Sequence, residues 1–201
     1  MKTTQFSFSY LIGIDEAGRG PLAGPVVVAG IKIKGRKQKK NIFPGIRDSK
    51  KLSPRQREEW FKFLTENPRL EWAVARVWPK TIDRLNISQA ANLGARRVCK
   101  RLLVENLALH KVLLDGGLRL APHIPHQTII KGDEKVPLIA AASIIAKVTR
   151  DRLMVRLHKK FPHYQFQTHK GYATRLHRNL VLQFGSSPMH RQTFIGSLAK
   201  R

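Results

Sequence analysis

A chain of 201 residues can bury a sizeable core within one domain, and a hydrophobic share of 42% argues against disorder. The 38 Lys and Arg outnumber the 13 Asp and Glu, and the resulting +25 calls for a polyanionic partner, nucleic acid before an anionic membrane surface. No apolar run approaches the roughly 20 residues of a membrane span. Residues 1–10 lack a secretory layout, and the single Cys99 excludes an intrachain disulfide or a cysteine-based zinc site, so a cytoplasmic setting is expected.

Residues 10–14 read as a short buried strand that ends on two adjacent carboxylates, Asp15 and Glu16, and turns at once through Gly18-Arg19-Gly20. A carboxylate leaving such a strand loses water and stays charged only beside a cation or several donors. A hard divalent ion such as Mg²⁺ takes oxygen ligands and is the simplest such cation. The glycines let backbone N–H groups approach a polar ligand closely. A second apolar run, 25–33, pairs with the first. Lys32, Lys34, Arg36, Lys37, Lys39 and Lys40 then form a basic cluster, read first as a solvated loop and second as phosphate contacts.

The next helix has a legible start, with Ser53 as N-cap, Pro54 in the first position and Gln56 completing a capping box. Trp60 and Leu64 keep helical spacing, and Asn67-Pro68 ends the element. Residues 70–77 fit a third strand. A long helix is expected over about 86–106, with Ile87, Ala91, Ala95, Val98 and Leu102 on its apolar face. Strand 111–114 stops at Asp115, followed by Gly116-Gly117. Strand 128–130 runs into Lys131-Gly132-Asp133. Pro137 opens a helix that is apolar nearly all round through 138–148, and therefore belongs inside the domain. A last helix carries Leu176, Leu180 and Phe184 and stops at Gly185, expected to be a left-handed cap. Alternating strands and helices imply a layered α/β domain.

Asp15, Glu16, Asp115 and Asp133 share one context, a strand-like end beside or near glycine. Sites in open α/β sheets gather at strand ends, so these acids could converge; a turn-forming Asp is the plain alternative, weightiest for Asp133. Spacing alone does not bring them together. If they meet, they repel and raise one another's pKa values unless metal neutralises them. Two Mg²⁺ ions roughly 4 Å apart would then clamp an in-line phosphoryl displacement. A basic exterior around an acidic metal core suits cleavage of a nucleic-acid phosphodiester.

The residues 15–21 (Asp-Glu-Ala-Gly-Arg-Gly-Pro) with Gly24-Pro25 resemble the opening motif of the type 2 ribonucleases H, the bacterial ribonuclease HII group. Further blocks follow in family order: Asp48-Ser49-Lys50-Lys51-Leu52, the run 82–87, Leu114-Asp115-Gly116, Lys131-Gly132-Asp133, the run 141–151, His169-Lys170-Gly171-Tyr172, and His190-Arg191 with Phe194. The series spans roughly 12–194. The resemblance implies a ribonuclease H-like fold, a mixed five-stranded sheet flanked by helices, as a single domain over 1–201 with a smaller helical part from about 160. It implies an endonuclease that cuts RNA in RNA–DNA hybrids and cuts 5′ of single ribonucleotides embedded in duplex DNA. The products carry 3′-hydroxyl and 5′-phosphate ends, and the metal is Mg²⁺ or Mn²⁺.

By the matching motifs, Asp15, Glu16, Asp115 and Asp133 are the metal-binding acids. Gly18, Arg19 and Gly20 form the loop whose backbone reads the ribose 2′-hydroxyl, the group that separates RNA from DNA. Tyr172 packs against the neighbouring deoxyribose; a core aromatic is the plainer reading of that tyrosine taken alone. Ser49, Lys50 and Lys51 are expected to contact phosphate or support the site. Lys147, His169 and Lys170 are candidate phosphate contacts. Asp151, beside Arg150, reads as an ion-pair partner, and His190 as packing. Thr81 and Ala95 depart from the family pattern at packing or surface positions. A monomer without a visible clamp-binding tail is expected. Two other readings stay open: a non-catalytic RNA- or ribosome-binding protein, which the charge alone favours, and a DNA nuclease of the same fold.

Overall fold

Strand β1 (Tyr10–Ala17) lies in the middle of a five-stranded sheet of order β3-β2-β1-β4-β5. β2 (Val26–Ile33) is antiparallel to β1 and to β3 (Leu70–Val77), while β4 (His110–Asp115) and β5 (His126–Ile129) run parallel to β1. The computed structural model describes residues 10–34, 42–46, 52–103 and 110–196. β2 is buried along almost its whole length, so it reads as a continuous apolar run, without the alternation of a half-exposed strand.

Helices cover both faces. α1 (Pro54–Glu66), α2 (Pro79–Leu85) and α3 (Ile87–Leu102) precede β4. On one face α3 buries Ala91, Ala95, Val98 and Leu102 against Ile12, Ile14, Val26 and Val28. On the other, α5 (Pro137–Lys160) buries Ala141, Ala142 and Ile145 against Ala29 and Ile31, and Leu64 of α1 closes that cluster from outside. α5 is thus held between the sheet and α1, which is why its first turns carry no polar face. The contact is close: a Cβ on Gly13 of β1 would lie 2.4 Å from the Leu138 carbonyl oxygen.

The capping box of α1 is formed, with Gln56 N–H donating to Ser53 Oγ at 3.2 Å and Ser53 N–H donating to Gln56 Oε1 at 2.8 Å. Several boundaries differ from expectation. α3 ends at Leu102, not near 106, because Leu103 turns extended (ψ 137°). β5 begins at His126 and ends before Ile130, which is mostly exposed at the sheet edge. Gly185 ends α7 (Arg175–Phe184) with φ 74° but ψ −166°, an extended exit and not a left-handed cap. α2 is too short to show a helical period, and its start at Pro79 passes as a loop signal. Lys32 is not a phosphate contact. It is buried, donates to the Leu102 carbonyl at 2.8 Å and pairs with Glu71 at 2.8 Å. Arg36, Lys37, Lys39 and Lys40 lie outside the described residues.

After α5 the described residues make a 3₁₀ turn (Pro162–Tyr164) and the helices α6 (Phe166–His169), α7 and α8 (Gln192–Ile195). Tyr164 and Phe166 close a third apolar cluster with Leu153, Met154, Leu157 and Ala23. A bridge between Ala23 and His190 ties this part to the loop after β1. Among the described residues, no helix is long and apolar enough to cross a membrane.

Candidate active site

The parallel register Ile14↔Leu114 brings the next residue of each strand, Asp15 and Asp115, to the same edge of the sheet. Glu16 follows on β1, and one carboxylate oxygen from each of Asp15, Glu16 and Asp115 lies within 4.8 Å of the others. Beyond β5 the backbone passes through the left-handed region at Lys131 (φ 54°) and enters α4 (Gly132–Lys135). Gly132 N–H donates to Asp115 Oδ1 at 2.7 Å, which fixes that carboxylate and sets Asp133 one residue on. Asp133 is buried and stands outside the tightest trio. It lines the same cleft of about 300 Å³, together with residues 15–20, Asp115, Ser143, Lys147 and Tyr172.

Burial raises the pKa of Asp15 well above the usual carboxylate value, and the charges of Glu16 and Asp115 add to it. The Glu16 N–H at 2.7 Å and Ser143 oppose the rise. Burial raises Glu16 as well, and Arg19 partly offsets this. The Arg19 guanidinium reaches Glu16 Oε1 at 3.3 Å, the Gly117 carbonyl at 3.2 Å and Ser88 Oγ at 3.2 Å. Glu16 Oε2 is buried without a hydrogen-bond partner. An orphaned oxygen among crowded, desolvated carboxylates is a donor set that a hard divalent cation satisfies. Asp15, Glu16 and Asp115 would hold it, with Asp133 at hand in the same cleft.

The turn after these acids is held from below. Gly18 has φ 94°, and a Cβ there would fall 2.0 Å from Arg150 Nε. Arg191 donates to the carbonyls of Gly18 at 2.6 Å, Arg19 at 2.7 Å and Gly24 at 3.0 and 3.1 Å. Arg150 donates to those of Ala23 and Pro25, each at 3.1 Å. Both guanidiniums are fully buried, and burial pushes Arg191 down to about 9, Arg150's charge adding to the effect. By contrast, a Cβ on Gly20 would meet nothing within 4 Å, so the fold leaves that position open.

Tyr172 is 42% exposed on the rim of the cleft, which rules out a core aromatic; its ring lies 5.8 Å from Lys147 Nζ and 5.6 Å from the Arg150 guanidinium. His169 does not face the cleft as expected. It is buried, its Nδ1 accepts from Gly171 N–H at 3.1 Å, and its Nε2 bonds the Tyr164 carbonyl at 2.8 Å. No ring nitrogen is left for phosphate, and burial lowers its pKa, which keeps the ring neutral. Lys170 lines a neighbouring cavity between α1 and α5, outside the catalytic cleft. Asp151 is an ion-pair partner, as expected, with Lys147 at 2.9 Å. His190 is buried packing, as read. Ser49, Lys50 and Lys51 lie outside the described residues. Sequence reasoning assigned no role to Ser143, Arg150 or Arg191. The one local signal for Arg150 is a permanent charge late in an otherwise apolar helical stretch.

A family model described as Ribonuclease HII matches residues 12–196. The chain is 44% identical over 188 residues to a ribonuclease HII of Chlamydia pneumoniae, covering 93% of this chain and 84% of that one. It is 43% identical over 186 residues to one of Coxiella burnetii, covering 92% and 87%. The structure is similar to that of the PCNA:RNase HII complex from Archaeoglobus fulgidus, with a TM-score of 0.74 and 29% identity over 90% of this chain and 93% of that one.

Proposed function

The chain belongs to the ribonuclease HII family, metal-dependent endonucleases of RNA–DNA hybrids, and from that premise we propose that it also cuts 5′ of single ribonucleotides embedded in duplex DNA. The reaction is a two-metal hydrolysis that leaves 3′-hydroxyl and 5′-phosphate ends. What supports this reading is one juxtaposition: the acid trio, with Asp15 buried and Glu16 and Asp115 half-buried, opens into the same cleft as a glycine turn and an exposed tyrosine. Asp15, Glu16, Asp115 and Asp133 would hold the cations, Mg²⁺ or Mn²⁺. When bound, such ions supply a Lewis acid at the phosphoryl oxygens and a more acidic water.

The rest is the work of the side chains and backbone. Gly20 leaves room for a ribose to reach the turn, where the backbone of Gly18, Arg19 and Gly20 reads the 2′-hydroxyl as donor and acceptor. Arg19 bonds Glu16 and Gly117, so its part in recognition is through its main chain while its side chain braces the acid. Tyr172 offers a ring face that a deoxyribose can pack on and that a 2′-oxygen would crowd. Lys147 lies beside that ring and supplies positive charge for the adjacent phosphate. The enzyme acts as a cytoplasmic monomer.

The test is a duplex with one ribonucleotide, incubated with Mg²⁺ or Mn²⁺ beside the all-DNA duplex. A single cut 5′ of the ribonucleotide, with the DNA intact, is the expected result. Equal cutting of both duplexes overturns the ribose reading, and failure to cut either overturns the reaction.

A further inference from the structure

We infer that the dipeptide His190-Arg191 sets the spacing between the two substrate-reading elements, the 18–20 turn and Tyr172, and so positions them for ribonucleotide selectivity. The inference rests on the proposed roles of those two elements and names the part of the chain that registers them.

Three segments distant in sequence form one buried lattice. Leu22 N–H donates to the Gly171 carbonyl at 2.8 Å, Gly24 N–H to Met189 at 2.8 Å, and Arg191 N–H to Leu22 at 2.8 Å. There is no slack at the crossing, since a Cβ on Gly171 (φ 83°) would stand 2.5 Å from the Ala23 carbonyl oxygen. From this lattice the two side chains of the dipeptide reach in different directions. The Arg191 fork gathers the carbonyls of Gly18, Arg19 and Gly24. With those carbonyls turned inward to one guanidinium, the turn's remaining polar groups are left for a ligand.

His190 reaches the other element through His177. Ser187 N–H donates to His190 Nδ1 at 2.9 Å, so that nitrogen must accept and Nε2 must carry the proton. That proton points at His177 Nε2, 3.1 Å away, which leaves His177 Nδ1–H to donate to the Tyr172 carbonyl at 2.9 Å. Each ring has one tautomer that satisfies its neighbours, and the chain of bonds ends on the backbone of the residue at the cleft rim. His169 stacks on His177 with centroids 4.1 Å apart and bonds Gly171 N–H from the other side. A buried polar network of this kind, fully satisfied, favours a single geometry. Adjacent residues therefore hold both reading elements, and a displacement of one is transmitted to the other.

Arg191→Lys keeps the charge but loses the planar fork, and His190→Ala removes the ring at the head of the relay. Amide exchange is followed in peptides covering 18–24 and 171–173, with β2 as internal reference. Each variant is expected to speed exchange in both segments while β2 keeps its protection. In the same variants, kcat/KM for a single embedded ribonucleotide is expected to fall against that for a continuous hybrid by on the order of tenfold or more. Faster exchange only in the segment each side chain touches, or in β2 as well, overturns the inference, and so does an unchanged substrate ratio. If the wild-type chain cuts neither substrate, the reaction reading fails, yet the exchange pattern still decides whether the two segments move together.

Discussion

Replacing Asp15 by Asn should stabilise the metal-free protein while abolishing turnover. Three carboxylates offer oxygens within 4.8 Å of one another, and only Arg19 pairs with any of them among the described residues. At an effective dielectric of about 20, each pair at that separation repels by about 3 kcal/mol. The protein relieves part of this by holding protons, which is what the raised pKa of Asp15 expresses. A carboxyl whose folded pKa lies above its unfolded value costs stability as pH rises from the unfolded value toward the folded one. Near neutrality the cost is therefore present. Asn keeps an oxygen for the Glu16 N–H, and its amide can donate to a neighbouring carboxylate. The net gain should be about 2 kcal/mol, or roughly 4–8 °C in Tm for a chain of this size. The assay is thermal unfolding in EDTA at neutral pH, repeated with Mn²⁺. Wild type should gain stability with the ion by mass action, about 2.7 kcal/mol at a hundredfold excess over Kd, and Asp15→Asn should gain much less. If the variant melts at or below wild type in EDTA, or if Mn²⁺ stabilises both equally, the crowded-acid account is wrong.

Gly20→Ala should leave Tm within about 1 °C of wild type, since nothing lies within 4 Å of the new Cβ, yet lower kcat/KM on the ribonucleotide duplex about tenfold or more. Gly18→Ala should instead lower Tm by several degrees, because its Cβ meets Arg150 at a positive φ; equal effects of the two changes would contradict the division between structural and ligand-facing glycines. Tyr172→Ala should reduce the preference for an RNA-to-DNA junction more than binding of a continuous hybrid, as measured by competition between the two duplexes. His177 and His190 have pKa values lowered by burial to about 4, so each stays neutral in the fold and must be charged in acid. Stability from each should be intact above the unfolded histidine value near 6.5 and lost as pH falls toward 4, by roughly 3 kcal/mol in full. His177→Gln should flatten that part of the Tm-against-pH curve, and a parallel curve would remove the buried relay from the account.

The C-terminal part shows where local reading runs out. His169 occurs in a run that matches the family beside Tyr172, and a histidine next to lysine in a basic chain is a natural phosphate contact. Its ring nitrogens are taken by Tyr164 and Gly171, and its burial depends on α6 packing against α5 and on the His177 ring stacked over it, which no nearby residue announces. Arg191 is invisible for the same reason, and Arg150 shows only as a charge late in an apolar helical stretch. Among so many cations, one that serves as an internal donor looks no different from those in solvent. The end of α3 is not legible in the sequence because nothing in the residues just after Leu102 marks a stop as Gly or Pro would.

Elements whose cause is local were legible in the amino acids alone: the apolar strand that ends on Asp15 and Glu16, the Ser53–Gln56 box, the helix after Pro137 with no polar face, and the charge that demands a polyanion. Each depends on residue type and a period of two or 3.6, which neighbours in sequence suffice to express. The meeting of Asp15 with Asp115 was decided by the parallel pairing of β1 with β4, and the shape of the 18–20 turn by the Arg191 guanidinium, 172 and 173 residues away in the chain. Desolvation makes those distant partners matter, since a buried carbonyl or carboxylate must find its donor or cation wherever the fold happens to supply one.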